Sequence, residues 1–149
     1  MISAKLQQMF SQVGDKVIDA EARIFSEAKA ALTAAFPTIF VTGEKVSAPP
    51  SFPAVSIVEI SNSSYTRSQT EESKEHHASV AYEIECFSDL KTGRKSQCRA
   101  IAGVADAVML GLNFTRNMLS PVGNAQADIA RYVGRYTAVI SEDGMLYRR

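Results

Sequence analysis

Glu83 and Glu85 stand two residues apart in a run, residues 77–88, where Ala78, Val80, Tyr82, Ile84 and Cys86 alternate with Ser79, Ala81, Glu83 and Glu85. That is the period of a strand with one buried and one open face. Arg131 and Arg135 fall on the same side of a second alternating run, residues 128–140, with Ile129, Val133, Thr137 and Val139. Paired carboxylates can act as general acid and base, but only inside a pocket, and the pattern implies none. If the two strands pair, the arginines lie across from the acids and form ion pairs worth about 0.2–1 kcal/mol each.

Other chemistry-bearing residues fit no catalytic arrangement. Thr92-Gly93-Arg94-Lys95-Ser96 is similar to the end of a phosphate-binding loop, yet Arg94 separates Gly93 from Lys95 and the earlier glycine is missing. It is better read as the basic first turn of a helix. Glu71, Glu72, Glu75, His76 and His77 are metal-ligand types, but adjacent histidines on a strand point to opposite faces and no second ligand pair has zinc spacing. A nucleophilic serine or cysteine would need a base and an orienting group, and the chain's two histidines both fall in this segment. Cys86 and Cys98 read as buried thiols of a strand and a helix in a protein made in a reducing compartment. No catalytic, cofactor-binding or metal-binding residue is expected, and no enzyme activity.

The elements that position these residues follow from hydrophobic spacing. Leu6, Met9, Val13, Val17, Ala20, Ile24, Ala28, Leu32 and Phe36 recur every three or four positions, predicting an amphipathic helix over residues 3–35 that Pro37 ends. A straight helix of that length would measure about 50 Å. A domain of this size is about 38 Å across. The helix therefore either breaks near Gly14 or projects residues 1–20 as an extension that meets a partner. A short strand at 38–42, a proline-rich loop at 43–53 and a strand at 54–60 follow. The polar run 61–76 is too poor in apolar residues to pack and reads as an extended functional loop. A helix over residues 93–111, a strand at 113–118, a turn at 120–124, the strand at 128–140 and a short strand after Asp143-Gly144 complete the chain. The order αβββαβββ indicates one α+β domain spanning residues 1–149: a mostly antiparallel sheet, both helices on one face, and a long β-β loop.

Composition agrees with such a domain. The 149 residues are 46% hydrophobic and 21% charged, with 16 basic and 16 acidic side chains and a formal charge of zero. A neutral chain is neither a dedicated nucleic-acid binder nor a basic membrane-surface protein, and it lacks the self-repulsion that opposes association.

Several blocks carry a resemblance. They are Ala34-Ala35-Phe36-Pro37-Thr38-Ile39-Phe40-Val41-Thr42-Gly43-Glu44, Phe52-Pro53-Ala54-Val55-Ser56-Ile57-Val58-Glu59-Ile60 with Asn62, Tyr82-Glu83-Ile84-Glu85-Cys86-Phe87-Ser88, Gly111-Leu112-Asn113-Phe114-Thr115-Arg116, and Arg131-Tyr132-Val133-Gly134-Arg135-Tyr136-Thr137-Ala138-Val139. In this order, over residues 28–140, the text resembles the tail-terminator or tail-completion proteins of long-tailed phages and prophages. The resemblance implies a structural virion protein at the tail neck, made in the host cytoplasm. Such a protein forms a homo-oligomeric ring, commonly of six copies, at the head-proximal end of the tail. There it ends tail-tube growth and contacts the tube protein on one side and a head-tail connector or stopper on the other. DNA only passes through the ring, and no membrane is involved. A head-tail stopper or a tail-tube subunit is the alternative place for the chain. A closed ring of this kind joins one patch of each subunit to a different patch of the next. The loop residues Tyr65, Arg67, Glu71, Glu72, Lys74 and Glu75 carry both signs and are expected at a subunit or tube interface. Glu83, Glu85, Arg131 and Arg135 are expected on the open sheet face or along the channel.

Overall fold

The structure, a computed structural model, describes residues 19–64 and 77–148. It is an α+β fold in the order α β β β α β β β: α1 (Glu21–Ala35), β1 (Phe40–Thr42), β2 (Ala54–Ser64), β3 (His77–Ser88), α2 (Arg94–Gly111), β4 (Thr115–Val122), β5 (Ala130–Ser141) and β6 (Leu146–Tyr147). The described part of the first helix buries Ile24, Ala28 and Leu32, spaced i, i+4, i+8 along one face. The Phe36 N–H closes it by bonding the Leu32 carbonyl, just before Pro37. The expected extension over residues 1–20 lies outside the described residues except for Asp19 and Ala20.

Helix α2 starts after Gly93, whose φ of 79° is the left-handed conformation that glycine adopts without strain. It ends where Asn113, at φ 69°, turns the chain. The Phe114 N–H then bonds the Met109 carbonyl and the Asn113 N–H bonds the Leu110 carbonyl, the paired bonds of a Schellman cap. Phe114 and Met109, both fully buried, supply its hydrophobic contact.

The sheet order is β1-β2-β3-β5-β4, with β6 pairing the far end of β5. All pairings are antiparallel except β1 with β2, so residues 43–53 form a crossover that carries no helix. On the helix side, Val55, Ile57, Val80, Tyr82, Ile84, Tyr132, Tyr136 and Ile140 join the buried stripes of both helices in one core. Each large side chain removed from water there contributes about 1.5–3 kcal/mol. Tyr82 and Phe114 meet edge to face, with ring centroids 5.4 Å apart.

Several boundaries differ from the sequence expectation: β4 starts at Thr115 rather than 113, β5 spans Ala130–Ser141 rather than 128–140, and two further differences, at the ends of β2 and β4, have a clear physical reason. Strand β2 runs to Ser64 because, after an irregularity at Ile60, the polar residues Ser61 to Ser64 pair with β3; backbone bonding suffices there without an apolar side chain. Strand β4 continues through the expected turn as far as Val122. Pro121 is tolerated because β4 is an edge strand and its missing N–H interrupts no ladder. Strand β1 begins at Phe40 rather than residue 38.

Candidate functional site

The alternation of β3 and β5 carries Glu83, Glu85, Arg131 and Arg135 to the sheet face turned away from the helices. Glu83 stands directly opposite Arg135, and the Arg135 Nε donates to its Oε2 at 2.9 Å. Glu85 is opposite Val133 instead, so Arg131 reaches it diagonally, with Nε at 2.9 Å and Nη2 at 2.6 Å from Oε2. The sequence pairing is thus right, with only one of the two pairs directly across the ladder.

The expectation of an open face is corrected. Glu85 is 2% exposed and Glu83 8%, and Val133, Val139, Phe87 and Ser56 are buried beside them. Part of the cover comes from residues 43–53: the Lys45 Nζ lies 3.9 Å from Glu83 Oε1 and 4.0 Å from Glu85 Oε1. The aliphatic stems of the two arginines cover more. Two carboxylates thus meet three cations, and the band carries one surplus positive charge, on the largely exposed Lys45.

A second polar cluster gave no signal in the sequence. Asp106, in the buried stripe of α2, accepts the Tyr136 hydroxyl at Oδ1 and the Arg116 Nη1 at Oδ2, both at 2.8 Å. Burial, then the bond to Asp106, pushes the Tyr136 hydroxyl well above its ordinary pKa, so it stays a donor. The cluster ties α2 to β4 and β5. It also lies beneath a cleft of about 490 Å³ lined by Arg99, Arg116, Leu119, Pro121 and Tyr132. An adjoining cleft of about 320 Å³ shares Pro121 and Tyr132 and adds Arg94 and Lys95.

At the opposite sheet edge the carboxylates of Asp19, Glu21 and Glu59 lie within 4.8 Å of one another. The Tyr82 hydroxyl donates to Glu59 at 3.3 Å. Burial, and then the charges of Asp19 and Glu21, raise the Glu59 pKa above its ordinary value. These acids could attract a cation, but all are at least partly exposed, and the buried Tyr82 hydroxyl already engages Glu59.

Both thiols are core groups, as the sequence implied. Cys98 donates to the Cys86 carbonyl at 3.0 Å, and burial pushes its pKa up to about 12. Burial also raises Cys86 well above its ordinary value. A thiolate nucleophile is therefore not available at neutral pH.

Tyr65, Arg67, Glu71, Glu72, Lys74, Glu75 and His76 lie outside the described residues. His77 opens β3 next to the Tyr147 ring. Among the described residues, no helix is long and apolar enough to cross a membrane. Comparison with models of known protein families gives no match, and comparison with curated proteins gives none either.

Proposed function

We propose that this chain is a structural protein of a long phage tail: it assembles as a ring at the head-proximal end, terminates the tail tube and joins it to the head connector, without catalysis. The observation that carries the reading is where the resembling blocks fall. They form the end of α1 with β1, then much of β2 and β3, the α2 cap with the start of β4, and most of β5, so they contribute to five of the six strands of the sheet. A resemblance concentrated in a scaffold, rather than around a pocket, suits a protein that acts through its surfaces.

The outer face supports the same role. With Glu83 and Glu85 offsetting Arg131 and Arg135, each subunit of a ring of such faces would present one surplus cation, Lys45, in place of three, which limits the salt-dependent grip on the phosphates of passing DNA. The test is electron microscopy of particles made without this protein. Abnormally long or headless tails support termination. Normal tails joined to filled heads refute it, and a copy number of many per tail, instead of one ring, assigns the chain to the tube.

A further inference from the structure

The chain is neutral as a whole, but two local clusters of opposite charge stand at opposite edges of the sheet. At the β4 edge, the paired clefts between α2 and β4 have a floor of Leu119, Pro121 and Tyr132 and a rim of Arg94, Lys95 and Arg99. Among the described residues none of these three has a carboxylate partner, and Asp106 below them is already used by Arg116 and Tyr136. Arg94 and Lys95 crowd the positive end of α2, which has no acid in its first turn, although Arg94 also donates to the Leu90 and Lys91 carbonyls; Arg99 follows in the second turn. A helix end that concentrates like charge in this way gains stability when an anionic partner covers it.

The same chain carries that partner chemistry at its other edge. Glu21, Glu44 and Asp19 line a cleft of about 510 Å³ beside Phe25, at the end of β1, and Glu59 joins Asp19 and Glu21 from β2. None of the four has a cationic partner among the described residues. Strands β3 and β5 lie between the patches: β2, which carries Glu59, and β4 are three strand spacings, about 14 Å, apart, and each patch adjoins a helix.

We propose that the cationic α2–β4 clefts receive the acidic α1–β1 patch of a second copy of this chain. Arg94, Lys95 and Arg99 then meet Glu21, Glu44 and Glu59 of the next subunit. Because the two patches differ and sit on opposite edges, the contact is heterologous, and it propagates into a ring if the rotation closes. The inference rests on the proposed ring assembly and adds which surfaces mate.

The experiment uses the full chain and two charge-reversed variants, R94E/K95E/R99E and E21K/E44K/E59K, with folding checked by circular dichroism. Mass is measured against concentration by light scattering and sedimentation, at low and high salt. Each variant alone is expected to self-associate at least about tenfold more weakly than the natural chain. An equimolar mixture of the two, in which every contact again pairs opposite charges, is expected to recover association. The natural chain should itself weaken between about 0.05 and 0.5 M salt. Association that neither variant changes overturns the pairing while leaving ring assembly intact. A natural chain that stays monomeric overturns the pairing too, while tail length in particles lacking the protein tests the terminator reading separately. If R94E/K95E/R99E loses binding to a short DNA duplex but keeps its mass, the clefts serve nucleic acid and the proposal falls.

Discussion

The two ion pairs on the outer sheet face share chemistry but differ in burial, which gives a sharp test of how that face is held. The Glu85 side chain is 3% exposed and Arg131 25%, whereas Arg135, the partner of Glu83, is 56% exposed. Glu85→Gln leaves Arg131 without its countercharge in a largely dry setting, while the exposed Lys45 keeps Glu83. The expected loss is about 3 kcal/mol, the lower end of the range for breaking a buried pair, because Arg131 keeps a quarter of its exposure. Glu83→Gln faces an arginine that water already solvates and should cost about 1 kcal/mol or less. In a domain of this size these losses correspond to falls in Tm of about 6–12 °C and at most about 4 °C. Double-mutant cycles with Arg131→Met and Arg135→Met, read by urea unfolding with circular dichroism, isolate the two couplings. Raising salt tenfold should erase the Glu83–Arg135 coupling and spare most of the Glu85–Arg131 coupling. Couplings equal within about 0.5 kcal/mol, or equally screened by salt, would refute the argument that burial sets their strength.

Gly134→Ala should destabilise by about 1–3 kcal/mol in the same unfolding assay, because a Cβ there would sit 2.9 Å from Tyr136 Cε2 and 3.2 Å from Leu119 Cδ1. Unchanged stability would mean that the Tyr136 ring is free to move. Cys86 and Cys98 should resist a thiol reagent in the native protein at pH 8 and react fully in denaturant; rapid native labelling would contradict their burial. For Glu59, the folded carboxyl has the higher pKa, so its contribution favours folding most below the unfolded value and is lost as pH rises through the folded one. Glu59→Gln should accordingly gain stability relative to the natural chain on going from pH 4 to pH 7, and an unchanged difference would show that Asp19, Glu21 and burial do not strain this carboxyl.

Much of this architecture is legible in the residues alone, where the signal is local. The period of two in residues 77–88 settled which side chains of β3 enter the core, and the shared parity of Arg131 and Arg135 placed them with Glu83 and Glu85. The stripe from Cys98 to Met109 marked α2 and the face it buries. These patterns persist because backbone geometry alone decides which neighbours share a face. Local signals also misled: Ser61 to Ser64 and Pro121 look like turn residues, yet both segments are strands because a partner's backbone was available.

Contacts between distant segments were decided only by the tertiary structure. Lys45 comes from a loop some forty residues before the acids it covers, and no spacing links them. Asp106 reads as a polar interruption in an apolar stripe until Tyr136 and Arg116 arrive from two other strands to satisfy both its oxygens. The parallel β1–β2 pairing and the separation of charge to opposite edges likewise follow from strand order. Periodicity assigns a residue to a face, but the partner on that face is chosen by the packing of the whole chain.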